Sequence, residues 1–233
     1  MKRIKILVAA VAAVLALSVL PSIASAASGF TADKYPVALN GVGTGGSHYL
    51  GFNSAVLTCS EATMTGEASS SSAAQRVYPN LTGCKSSSET AFAMNGCSLT
   101  LHPGTEVLSG QFNGTFDIGP AGCGPITTTV APGCKITIPA QAGLGAEFTN
   151  SGVGNNALVT VKANASGLKY TQSSLCENGS FSNGTWKGSW AVKGQNPVTK
   201  AAVGIHVAKD VPVGIFLAGA KSEVEGSQPR LEA

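Results

Sequence analysis

Between Thr90 and Ile138 apolar and polar residues alternate in short runs. Thr90, Phe92 and Met94 alternate with smaller residues up to Asn95-Gly96. Cys97, Leu99 and Leu101 then alternate with Ser98, Thr100 and His102. The pattern returns from Leu108 to Phe112, at Phe116 and Ile118 after Asn113-Gly114, and at Cys134, Ile136 and Ile138 against Lys135 and Thr137. A period of two puts the apolar set on one face of a strand. Asn-Gly supplies the positive φ angles of a two-residue hairpin turn, so hairpins are expected at Asn95-Gly96 and Asn113-Gly114.

The same grammar predicts strands over most of the remaining chain. Val56–Met64 reads as a strand with Leu57 and Cys59 inward and Glu61 near its end. Arg76–Leu81 and Pro125–Val130 follow, then a hairpin of Ala157–Ala163 and Leu168–Thr171 turning at Asn164–Gly167. Val203, Ile205 and Val207 share a face opposite His206. Gly41–His48 reads as an extended loop with a short edge strand; it lacks the lysine and following helix of a phosphate loop. No long segment keeps a 3.6-residue apolar period. The predicted fold class is all-β, an antiparallel sandwich or partly open barrel with disulfide staples.

The start of the chain changes the compartment. Lys2, Arg3 and Lys5 precede the apolar run Ile6–Leu20, and Ala24-Ser25-Ala26 supplies small residues for cleavage. Residues 1–26 therefore read as a signal peptide. Residues 27–220 read as a secreted β domain, whole or in two related halves meeting near 141–155, and 221–233 as a flexible charged tail. Neither the leader nor the short apolar stretch Val211–Leu217 has the length of a membrane span. The expected location is secreted, extracellular or envelope-associated, without a stable transmembrane anchor.

Removing the leader leaves 233 − 26 = 207 residues, and 15 − 3 = 12 basic against 12 acidic side chains. With no basic cluster along the sequence, no nucleic-acid partner is expected. The six cysteines, Cys59, Cys84, Cys97, Cys123, Cys134 and Cys176, are an even set in a secreted-type chain and read as disulfides. Six cysteines allow fifteen pairings; the preferred set is Cys59–Cys84, Cys123–Cys134 and Cys97–Cys176. Neither the cysteines nor His48, His102 and His206 have metal-ligand spacing, so no metal or cofactor is expected.

Phe30-Thr31-Ala32, Tyr35-Pro36, Leu57-Thr58-Cys59, Gly83-Cys84, Met94-Asn95-Gly96-Cys97 and Cys134 to Gln141 carry a resemblance. Over residues 30–194 the chain resembles uncharacterised secreted all-β proteins of high-GC Gram-positive bacteria. The resemblance implies export and a shared fold and supplies no reaction.

Candidate chemistry is sparse. His102 and His206 have Asp117, Glu61 and Asp210 as acids they can meet through strand pairing, but the Gly-x-Ser-x-Gly elbow is absent. Glu61, Glu67, Glu89, Glu106, Asp117, Glu147 and Glu177 show no spacing that marks a glycosidase pair. No catalytic residue is assigned. Trp186 and Trp190 lie four apart with Gly188 between them, on one strand face. They read either as a ligand platform or, preferably, as core. The expected function is non-catalytic binding of an envelope glycan or another extracellular protein; the alternative is a secreted hydrolase of a polysaccharide or ester.

Overall fold

The computed structural model describes residues 27–211, apart from 54, 88–89, 121, 132 and 177. The leader, the tail, Glu89 and Glu177 lie outside the described residues, as does the stretch after Val211. The strands are β1 (Ala27–Ala32), β2 (Val37–Phe52), β3 (Ala55–Ala68), β4 (Gln75–Lys85), β5 (Phe92–Ala93), β6 (Ser98–Leu108) and β7 (Gln111–Gly119). They continue as β8 (Ile126–Ala131), β9 (Cys134–Ile138), β10 (Gln141–Ser151), β11 (Leu158–Gln172), β12 (Gly179–Gln195), β13 (Ala202–Val203) and β14 (Ile205–Val211). Among the described residues a single 3-10 turn, Gly154–Asn156, interrupts them.

Every pairing is antiparallel. The order β12-β2-β3-β4-β6-β7-β10-β11 returns to its start because β11 also pairs β12, which closes a ring of eight strands. The seam between β4 and β6 is narrow, with Gln75, Arg76 and Val77 facing Leu101, Thr100 and Leu99. Beyond it β4 continues alongside β3 alone. A second strip, β9-β8-β5, extends from the far end of β11. It comes back to β4 where Thr90 N–H donates to Cys84 O at 3.0 Å. The barrel is thus partly open at β4. β1 and β14 form a separate ribbon, tied to β10 by Asn150, whose side chain bonds Val207 N and O at 2.8 Å each.

One continuous hydrophobic cluster runs from Phe30 to Val207. The range 141–155, where two halves would meet, holds β10, which is hydrogen-bonded on both edges. The alternation expected of half-buried strands is clear in β4, β9 and β11. In β3 it changes phase: Leu57 and Cys59 are buried, Ser60 and Glu61 are both exposed, and Ala62 and Met64 are buried again. Glu61 is therefore mid-strand, and the phase change accounts for its sharing a sequence parity with inward residues.

Several expected hairpin turns do not join hairpins. Asn95 and Gly96 do adopt positive φ (49° and 78°), but β5 before them pairs with β8, not with β6. Asn113-Gly114 lies inside β7, and the β6–β7 hairpin turns at Ser109-Gly110. Gly114 serves close approach: a Cβ there would strike His102 O and lie 2.7 Å from Phe148 Cε2. Asn164–Gly167 also lies within one strand, β11, which passes it with a register shift between Ser166 and Leu168. Gly41–His48 belongs to β2, a central strand with a bulge between Val42 and His48, not an edge.

The disulfides are Cys59–Cys84, Cys97–Cys123 and Cys134–Cys176. All six cysteines are bridged as expected, but two of the three pairs differ from the preferred set. Cys123 precedes β8 and Cys134 follows the β8–β9 turn, so they stand at opposite ends of that hairpin, roughly 20 Å apart for six residues of strand. Cys123 instead follows β7 just where the Ser98–Gly119 pairing brings it beside Cys97. β9 pairs the end of β11, which delivers Cys134 to the following loop and Cys176.

Candidate functional site

Period two on β12 sends Trp186, Trp190 and Val192 inward and Lys187, Ser189, Ala191 and Lys193 outward. Both tryptophans are buried, at 0% and 1% exposure, so they form no exposed platform. Trp186 meets Phe116 of β7 edge-on at 5.7 Å and Phe92 of β5 at 6.3 Å. It thereby joins the closed ring to the β9-β8-β5 strip. Its size suits this place, since large aromatic rings contribute most buried area to a core.

The space over Gly188 is taken by His48. A Cβ on Gly188 would collide with the imidazole. The ring lies 4.3 Å from that of Trp190, and the residue is 1% exposed. Nε2–H donates to Ser189 O at 3.2 Å, which leaves Nδ1 as a buried acceptor without a hydrogen-bond partner among the described residues. Burial pushes the His48 pKa below its ordinary 6.5, and the bond to Ser189 offsets part of that shift. The β2 bulge is what turns His48 inward. Gly43-Thr44-Gly45-Gly46 before His48 hides the alternation that would mark it as inward.

On the outside of the same wall two clefts meet end to end. The first is lined by Ser47 and Tyr49 of β2, Lys162 and Asn164 of β11, and Lys187 and Ser189 of β12. The second continues over Asn40, Val42, Ala191, Lys193, Gln195 and Lys200, and Thr44 lines both. The register places Asn164, Lys187 and Tyr49 in one row across three strands. Tyr49 is 47% exposed and Val42 62% exposed. Thr44 and Ser189 fix the middle: their hydroxyls lie 3.1 Å apart, and Ser189 Oγ donates to Thr44 O at 2.6 Å. The groove can offer a sugar ring a tyrosine face, hydroxyl and amide partners, and ammonium groups. Period-two alternation on β12 is enough to put Lys187 and Lys193 outside, whereas their neighbours on β2 and β11 come from long-range register.

His102 on β6 meets Asp117 on β7. Nε2–H donates to Asp117 Oδ2 at 2.9 Å, and Gly143 N–H donates to the other carboxylate oxygen at 2.8 Å. Both side chains are about one-third exposed, at 37% and 33%. This arrangement orients the imidazole; in its neutral form, with Nε2 protonated, Nδ1 presents the lone pair that a general base needs. Among the described residues it has no hydroxyl nucleophile hydrogen-bonded to it. His206 stands on β14 opposite Thr31. The other acids are engaged separately: Glu61 accepts from Thr82 at 3.1 Å, Glu147 from Lys162 at 2.9 Å, and Glu106 from Gly110 N–H at 2.8 Å and from Lys209.

Among the described residues no cluster of three His, Cys, Asp or Glu side chains has the arrangement of a metal site. No helix among them is long and apolar enough to cross a membrane. Comparison with protein-family models, curated proteins and solved structures finds no match for this chain. The fold and the site define a class: an antiparallel, disulfide-stapled and partly open β-barrel, filled inside, with two adjoining clefts along its outer wall.

Proposed function

We propose that this chain is an exported, non-catalytic binding protein that works in the extracellular space or at the cell envelope and holds a glycan in the groove over β2 and β12. One observation carries the reading: two outer clefts that share Thr44 set apolar surface, Tyr49 and Val42 included, beside hydroxyl, amide and ammonium groups. Among the described residues the barrel interior is filled by Trp186, Trp190, Tyr170 and the aliphatic core. A stapled β scaffold that presents a ligand on its surface needs no reacting group. The leader pattern of residues 1–26, the bridged cysteines and the resemblance to secreted bacterial proteins all favour an oxidising, external compartment.

The hydrolase reading is favoured by the His102–Asp117 pair alone. The two readings separate in one experiment on the mature protein. Envelope polysaccharides are tested for binding and for cleavage, with Tyr49→Ala and His102→Ala variants alongside. Binding without turnover, weakened by Tyr49→Ala and indifferent to His102→Ala, is the expected result. Turnover abolished by His102→Ala sinks the binding-only reading.

A further inference from the structure

The mature chain is formally neutral, with 12 basic and 12 acidic side chains, yet the groove is not. Lys162 and Lys187 line one cleft, Lys193 and Lys200 the other. The nearest carboxylate is Glu147, bonded to Lys162 Nζ at 2.9 Å and Asn164 Nδ2 at 3.3 Å. Glu67 lies further along, in the row of Gln195 and Ala38. Lys200 Nζ donates to Pro197 O at 2.7 Å. Among the described residues Lys187 and Lys193 have no carboxylate within ion-pair distance.

Lys187 and Lys193 are on the same strand face, separated by roughly 20 Å of β12. Between them the floor is Ser189, Ala191, Thr44 and Val42, without charge. Two ammonium groups at the ends of a neutral, hydroxyl-bearing floor suit a chain whose negative charges are spaced apart by uncharged hydroxyl groups. Resting on the groove reading above, we propose that the ligand is an acidic polysaccharide. Its carboxylates or phosphates meet Lys187 and Lys193, one sugar face lies on Tyr49, and Asn164 and Ser47 bond its hydroxyls. Duplex nucleic acid fits less well, because its charge is dense and no arginine lines the groove.

The test titrates the mature protein with sodium polygalacturonate, a phosphomannan, neutral dextran and duplex DNA. Two salt concentrations are used, about 20 mM and about 300 mM, which bracket physiological screening. The proposal expects an acidic polymer to bind and to lose about tenfold in affinity at the higher salt, while dextran binds at least tenfold more weakly. Carboxylate and phosphate are told apart by which of the two acidic polymers is preferred. The double variant Lys187→Gln/Lys193→Gln should lose about tenfold at low salt, and Lys187→Arg/Lys193→Arg should restore binding, with melting temperatures unchanged in both. Dextran binding as tightly as the acidic polymers, with the Gln variant indifferent, overturns the acidic class; the groove reading still stands if Tyr49→Ala removes that binding. Tighter binding to DNA, or no binding to either acidic polymer, also overturns the proposal.

Discussion

The His48 imidazole occupies the place over Gly188 that a β-carbon would need, and packs 4.3 Å from the ring of Trp190, tilted 48° to it, two residues further along β12. The contact binds the β2 bulge to the barrel wall beneath the groove. Gly188→Ala should therefore destabilise the fold by about 1–3 kcal/mol, measured by denaturant unfolding, because the core must shift to admit one methyl group. In a His48→Ala background the same substitution should cost markedly less. Equal costs in the two backgrounds would show that the residues are not coupled.

His48 also sets a pH dependence. Its folded-state pKa is held below 6.5 by burial, so on acidification the unfolded chain takes up the proton first. The stability contributed by the neutral ring is fully present above that unfolded value. It is lost as pH falls from about 6.5 through the folded-state pKa. Unfolding free energies measured from pH 7.5 to 5 should fall, and His48→Gln should flatten that part of the profile. A parallel decline in the variant would assign the slope to other groups.

Peptide mapping of the unreduced protein should recover Cys59–Cys84, Cys97–Cys123 and Cys134–Cys176, with no free thiol. Replacing Cys134 and Cys176 by Ala should cost about 2–5 kcal/mol. This bridge closes the longest loop, 42 residues apart, against 25 and 26 for the others. A Cys123–Cys134 peptide would contradict the β8–β9 hairpin.

The indoles should report a dry core. Native emission should lie at short wavelength and resist acrylamide until the chain unfolds, since Trp186 and Trp190 are 0% and 1% exposed. Trp186→Ala should cost about 3–5 kcal/mol, for it removes the ring between Phe116 and Phe92. Strong quenching in the native state would place the rings at the surface.

The all-β class was legible because period-two alternation is local, and it survives in β4, β9, β11 and β12. What misled was glycine. Asn113-Gly114 has the sequence of a turn, but Gly114 is there because His102 O and Phe148 crowd it from neighbouring strands. Asn164–Gly167 looks the same, yet β11 runs through it, as pairing with β12 on both sides requires. Such crowding is a property of register, which a single sequence does not display. The same limit applies to the site. The outward lysines of β12 follow from alternation, and Asp117 stood among the acids that His102 can meet, but the β6–β7 and β2–β12 registers select the actual neighbours.

The proposed function requires ligand to be held on the outer wall over β2 and β12. The most direct measurement is amide chemical-shift mapping of the isotope-labelled mature protein titrated with polygalacturonate oligomers. Shifts should concentrate at Thr44, Ser47, Tyr49, Lys187, Ser189 and Lys193, and be lost in Lys187→Gln/Lys193→Gln. Shifts gathered instead around His102, Asp117 and Gly143, on the β6–β7–β10 side, would contradict it.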